Sequence, residues 1–280
     1  DGTVINKTAS YAGDGGLQQV FAGVGFKVLD NLSIGANISY IYGDITHSVT
    51  TAFSNSSSFS SVRLDKISIN DYKLDFGLQY SYKFNKKHVL NFGAVYSLGH
   101  SVNGKGYKYN QKWLNGADYP STQTGDTITN AFSLPHTFGA GLTYVYDNRL
   151  TIGADFTYQQ WEDAKFYNEK SYFSNRTKIA AGAEFVPNPY SRNYLKRVRY
   201  RVGGYYSDPY TKVDGQDGTR EYGVSAGFGF PLFQSKSILN ISGQYVRVSP
   251  KVKGMLEENY LKINIGLTFN ERWFMKWKVD

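Results

Sequence analysis

Leu32, Ile34, Ala36, Ile38, Tyr40 and Tyr42 put apolar side chains at every second position, and Ser33, Gly35, Asn37 and Ser39 fill the gaps between them. A strand sends successive side chains to opposite faces, so this run predicts a strand with one apolar and one polar side. The same period holds for Val20, Ala22, Val24, Phe26 and Val28, and again over 72–84, 90–98, 138–146 and 150–158. Weaker copies fall at 177–186 and 197–207, and clear ones at 221–231, 238–247 and 260–270. The pattern predicts about eleven strands of roughly ten residues each.

A soluble sandwich would turn the apolar face inward, and a transmembrane barrel would turn it out to lipid. Three features favour the barrel. Ten residues span the hydrocarbon when tilted, whereas soluble strands are usually shorter. The polar faces are rich in Gly, Ser, Asn and Lys, which suit a crowded or wet lumen. Aromatics gather at strand ends, as in interfacial girdles: Tyr40 and Tyr42, Tyr80 to Phe84, Tyr144 and Tyr146, Tyr158 and Trp161, Tyr205 and Tyr206, Trp273 and Phe274.

Connection lengths assign the sides. Asp30-Asn31, Asn85-Lys86-Lys87, Asp147-Asn148-Arg149 and 232–236 are short and 187–196 is intermediate, whereas 44–70, 100–135, 162–176, 208–220 and 248–258 are long. Outer-membrane barrels keep short turns on the periplasmic side, so the long links belong outside the cell. Residues 1–16, with Gly2, Gly13, Gly15 and Gly16, read as the end of an outer loop. An odd strand number is unusual for a bacterial barrel. The expectation is one barrel domain over 1–280, with further strands before Asp1 or supplied by a companion chain.

Composition narrows the chemistry. The 280 residues include 24 Tyr, 18 Phe and 29 Gly but no Cys, which excludes disulfides, a thiol nucleophile and Cys-type zinc sites. No run approaches the length of apolar sequence that a membrane helix needs, and Asp1-Gly2-Thr3-Val4 lacks the features of a secretory signal. His47, His88, His100 and His136 fall in no metal-ligand or catalytic spacing, so neither an enzyme nor a cofactor or metal is expected. Gly139-x-Gly141 and Gly223-x-x-x-Gly227-x-Gly229 continue into strands rather than helices, so they leave room in a lumen instead of cradling phosphate. The net charge is +8, but no nucleic-acid module accompanies it. Basic residues at the outer rim would meet lipopolysaccharide phosphates. The densest basic cluster is Lys196, Arg197, Arg199 and Arg201. Asp75, Asp155, Lys178, Glu184, Arg199 and Arg201 fall on the polar phase and are the candidate lumenal charges. Tyr107, Tyr109, Trp113, Tyr119, Phe166 and Tyr167 lie in the long outer links and are the candidate aromatics of an outer mouth.

The stretch Leu134-Pro135-His136-Thr137-Phe138-Gly139, followed by Leu150-Thr151-Ile152-Gly153-Ala154-Asp155 and Tyr158-Gln159-Gln160-Trp161, resembles the FadL-type outer-membrane transporters. Gly15-Gly16-Leu17 and Asn270-Glu271-Arg272-Trp273-Phe274 resemble members from Bacteroidetes-type bacteria. The resemblance implies a fourteen-stranded barrel with an N-terminal hatch, of which this chain is the later part. It implies passive uptake of fatty acids or similar hydrophobic compounds through the outer membrane. No ligand-contacting residue carries over, because the family's ligand path lies largely in the part before Asp1. Some FadL-type proteins instead serve secretion, so a non-transporting subunit of an outer-membrane secretion or assembly complex is the second expectation. The implied partners are lipid, a hydrophobic small molecule, and other outer-membrane or periplasmic proteins.

Overall fold

The computed structural model describes residues 5–55, 58–114, 122–167, 170–213, 215–232, 237–251 and 256–269. In chain order the strands are β1 (Lys7–Leu29), β2 (Leu32–Phe53), β3 (Phe59–Lys83), β4 (His88–Ser97), β5 (His100–Ser101), β6 (Gly104–Leu114), β7 (Thr122–Thr129), β8 (Ser133–Leu134) and β9 (Thr137–Tyr146). They continue as β10 (Leu150–Gln159), β11 (Arg176–Phe185), β12 (Arg199–Ser207), β13 (Lys212–Val213), β14 (Gln216–Asp217), β15 (Thr219–Pro231), β16 (Ile238–Pro250) and β17 (Glu258–Thr268). Eleven of them follow one another in a single antiparallel sheet, β1-β2-β3-β4-β9-β10-β11-β12-β15-β16-β17. That is the number and order expected from the alternation. β6 and β7 join the same sheet beside β3. Among the described residues, β1 pairs only with β2 and β17 only with β16.

The pairing registers carry the alternation from strand to strand. Phe26, Ile34, Leu78, Ala94, Ala140, Phe156, Ile179, Tyr206, Tyr222 and Arg247 form one continuous row, and the row through Val202, Ala226, Gly243 and Ile263 lies on the same face. The large apolar side chains of this face stay exposed: Val24 at 63%, Val224 at 63% and Ile263 at 69%. A soluble sandwich would have buried them. Burying one such side chain is worth about 1.5–3 kcal/mol, and here only lipid can supply that cover. The buried apolar cluster lies elsewhere, in the outer segments, where Ile67, Ile69, Val102 and Tyr167 pack with Ile128, Phe132, Leu134 and Phe166. The fold is therefore all-β, an antiparallel sheet of the transmembrane-barrel class.

The structure corrects three boundaries. Residues 44–53 and 59–70 are strand and not loop: β2 and β3 stay paired from Leu32↔Tyr80 to Thr51↔Ser61. Residues 7–16 likewise belong to β1, paired from Lys7↔Phe53 onward. The link 100–135 contains β6 and β7, which extend this second region. Their polar composition suits a sheet standing in water, and the same composition reads locally as a loop. The result is a blade of β1, β2, β3, β6 and β7 rising beyond the aromatic girdle. From Gly43 to Phe53, β2 advances roughly 33 Å along its own axis at ~3.3 Å per residue.

Two glycines sit where the blade leaves the barrel. Gly15 has φ +99° and Gly43 has φ +144°, on adjacent strands. A Cβ at Gly15 would lie 2.1 Å from the carbonyl oxygen of Asp44, and one at Gly43 would lie 2.2 Å from that of Gly16. Only glycine tolerates both the conformation and the approach.

The girdle is borne out at Tyr40, Tyr42, Tyr80, Tyr82, Phe84 and Tyr146, all exposed on the apolar phase. Tyr205 and Trp161 depart from it. Tyr205 lies on the polar phase and donates to Glu221, and Trp161 packs among loop aromatics against Phe132, Phe173 and Tyr210. Trp273 and Phe274 lie outside the described residues.

Candidate functional site

All six candidate lumenal charges lie on the polar face, but they form separate groups. Glu184 in β11 stands opposite Arg201 in β12. Arg199 Nη1 donates to Glu184 Oε1 at 2.9 Å and Arg201 Nε donates to Oε2 at 2.6 Å. Arg201 Nη1 also donates to Asn240 Oδ1 of β16 at 2.7 Å. One carboxylate thus serves two guanidiniums, and the cluster keeps an excess positive charge. Beside it Arg201, Ser225, Asn240, Ser242, Gln244 and Asn264 line a cavity of about 320 Å³. Its hydroxyls, amides and guanidinium suit a polar or anionic group.

Asp155 lies apart. It faces a second cavity of about 370 Å³ with Gln79, Asn91, Thr143 and Thr157. Gly141 stands opposite, where a Cβ would lie 2.3 Å from Asp155 Oδ1. Among the described residues Asp155 has no hydrogen bond or ion pair. Lys178 is its diagonal neighbour, yet its Nζ sits 5.3 Å from the centre of the Tyr205 ring. Asp75 is held by Lys73 and by the hydroxyl of Ser97. Sequence reasoning passed over Lys73, Ser97, Asn240 and Glu221. Each was visible only as a polar-phase residue, and the cross-strand register was needed to find its partner.

The outer-mouth aromatics divide between two faces of the blade. Tyr167 is buried, and a Cβ at Gly106 would lie 3.0 Å from its ring; Lys108 Nζ lies 4.9 Å from its centre. Gly106 and Lys108 therefore point to the inner side of β6. Phe166 joins Tyr167 edge to face at 4.9 Å. Tyr107, Tyr109 and Trp113 have the opposite parity and stand on the outer side, opposite Lys66, Leu64 and Ser60 of β3 respectively. Tyr107 is exposed at 38%. Tyr119 lies outside the described residues.

Polar contacts fix the blade. On the outer side, the Ser68 hydroxyl donates to Asp44 and Lys66 pairs with it at 2.9 Å; these contacts hold the Asp44 carboxyl below its ordinary pKa. On the inner side, the hydrogen bond to Asp65 raises the Arg63 pKa, and burial raises that of the Tyr167 phenol. Where β3 leaves β4 for β6, Asp71 accepts from the backbone N–H of Tyr72 and of Asn103. The His100 ring stacks on Tyr72 at 4.6 Å, and its Nε2 is 3.4 Å from Asp71 Oδ2 without the alignment of a hydrogen bond. His88 Nδ1 lies 2.6 Å from the Tyr144 hydroxyl, and the Tyr96 hydroxyl lies 2.8 Å from His136 Nδ1. Those two histidines thus anchor strand tyrosines, Tyr144 of the girdle and Tyr96 of β4. His47 sits in the blade opposite Gly13.

The sequence model of a family described as BamG matches residues 1–280. Among curated proteins no relative matches. Solved structures share the fold at low identity. A Pseudomonas aeruginosa FadL homologue has a TM-score of 0.55 at 16% identity, over 85% of this chain and 61% of its own. The Ralstonia pickettii toluene transporter TbuX has a TM-score of 0.57 at 12% identity, over 92% of this chain and 69% of its own. The RagAB peptide importer in its closed-closed state gives 0.53 at 10% identity, over 92% of this chain and 34% of that one. The chain thus spans 61% of the length of the FadL homologue.

Proposed function

Because this chain belongs to the BamG family along residues 1–280, we propose that it works as a non-transporting subunit of an outer-membrane protein-assembly or secretion complex. The family's name hints at an assembly complex. The observation that carries the reading is the blade. A conduit needs a lumen and a mouth, and it has no need of paired strands that run on for roughly 33 Å of their length past the girdle. The outer side of that sheet presents Tyr107, Tyr109 and Trp113, and aromatic side chains of this kind are enriched in protein interfaces. The Glu184–Arg199–Arg201 cluster then acts as a brace that ties β11 and β12 to β16 across the lumenal face.

The test is purification of the protein from its own outer membrane in mild detergent. A stable assembly with other outer-membrane proteins is expected. It should dissociate in a Tyr107→Ser/Trp113→Ser variant that still folds. A protein that purifies alone, with or without these changes, would overturn the reading.

A second reading is passage of a hydrophobic compound, a fatty acid or similar molecule. It is supported by the likeness in fold to a toluene transporter and a FadL homologue. Under that reading the cavities beside Asp155 and Arg201 mark the solute path. A co-purifying hydrophobic ligand that is lost in Arg201→Ala would favour it.

A further inference from the structure

On the apolar face of β15 and β16 the rows read upward as Phe228–Ile241, Ala226–Gly243 and Val224–Tyr245, with Ile265, Ile263 and Leu261 of β17 completing them. The next row is Tyr206, Tyr222, Arg247 and Asn259. One row higher stand Arg220 and Ser249. The surface therefore passes from hydrocarbon-facing side chains to two arginines within two rows, each roughly 7 Å tall at ~3.4 Å per residue. Arg220 and Arg247 are diagonal neighbours on one face, about 7–8 Å apart at Cα. Like charges so placed repel each other unless an anion lies between them.

Among the described residues, the charged groups around them are committed. Arg247 Nη2 pairs with Glu257 Oε1, and its Nε has no hydrogen-bond partner. Lys251 is held by Asp217 at 3.1 Å and lies 3.9 Å from Asp208, and Asp208 also accepts from the Tyr206 hydroxyl. Glu221 turns to the polar face, where it accepts from Tyr205. Arg220 is exposed and has no hydrogen bond or ion pair among the described residues. Two guanidiniums against one carboxylate leave an uncompensated positive charge.

We infer that Arg220 and Arg247 form a binding site for the phosphate of an outer-leaflet glycolipid headgroup, its acyl chains lying against Val224, Tyr245 and Leu261. The long connections put this end of the strands outside the cell, and the outward phase puts both guanidiniums at headgroup level. A guanidinium fork matches two phosphate oxygens at once. The site is independent of whether the protein assembles with others or conducts a solute.

Native mass spectrometry of the purified protein with bisphosphorylated lipid A, its phosphate-free form, or inorganic phosphate tests the inference. One tightly held bisphosphorylated lipid per chain is expected, with about tenfold weaker binding in Arg220→Gln and a further loss in Arg220→Gln/Arg247→Gln. The Arg220 side chain has no partner among the described residues, so the single variant leaves their contacts intact. Arg149→Gln, in a turn at the opposite end of the strands, should bind as the unmodified protein does. Equal binding of the phosphate-free lipid, or unchanged binding in both Arg220 variants, would overturn the site and leave only nonspecific lipid contact. Displacement of the lipid by equimolar inorganic phosphate would show a free-anion site and overturn the lipid assignment.

Discussion

Gly43→Ala should destabilise the protein and do so through the backbone. The new Cβ would lie 2.2 Å from the carbonyl oxygen of Gly16 and 3.2 Å from the Leu17 Cα. Both obstacles are main chain, so no rotamer change relieves them and β1 must move. The φ of +144° adds strain of about 1–3 kcal/mol for any residue with a Cβ. Alanine also stiffens the unfolded chain, which offsets about 0.4–1 kcal/mol. The balance is a destabilisation of roughly 2 kcal/mol, a large fraction of a typical stability. The assay is urea unfolding of protein folded into lipid vesicles, followed by tryptophan fluorescence. Gly243→Ala is the control, because a Cβ there meets nothing within 4 Å; it should change stability by no more than about 0.5 kcal/mol. Hydrogen exchange should rise over 44–53 in the Gly43 variant and stay unchanged over 32–42. Equal unfolding midpoints for the two variants would refute the argument that the blade leaves the barrel through a glycine-only bend.

Glu184→Ala should leave Arg199 and Arg201 facing each other without their carboxylate and cost about 1–2 kcal/mol, since the side chains are part-exposed; the same urea titration reads it, with Glu184→Gln intermediate. Tyr167→Ala should open the cluster around Ile67, Ile69 and Val102 at a cost of about 2–4 kcal/mol, visible as faster exchange over 104–114 with little change in β9–β12. The Asp217 carboxyl accepts from Ser174 and Lys251, which hold its pKa below the ordinary 3.8. Its contribution is complete above pH 3.8 and is lost as the pH falls through the lowered value. Protease sensitivity of the segments 170–175 and 211–213 should therefore rise only in strong acid, and Asp217→Asn should remove that dependence.

The eleven strands, their apolar and polar faces, and the outward placement of the girdle tyrosines other than Tyr205 were legible in the chain. A period of two is a local property, and it survives whatever the strand pairs with. The polar phase likewise marked Asp75, Asp155, Lys178, Glu184, Arg199 and Arg201 before any register was known. Which of them meet was a tertiary matter. Glu184 and Arg201 are opposed because β11 pairs with β12 in one register, and a one-residue slip would have separated them. Asp155 has the same sequence signature and stands alone. The blade was misread as loops for a related reason. Its Ser-, Thr- and Asn-rich strands bury little on their outer side, and only their pairing with one another, and the cover given by Tyr167 from a distant link, make them a sheet. The chain fixes the period of each strand; the fold decides which strands lie side by side and where they leave the membrane.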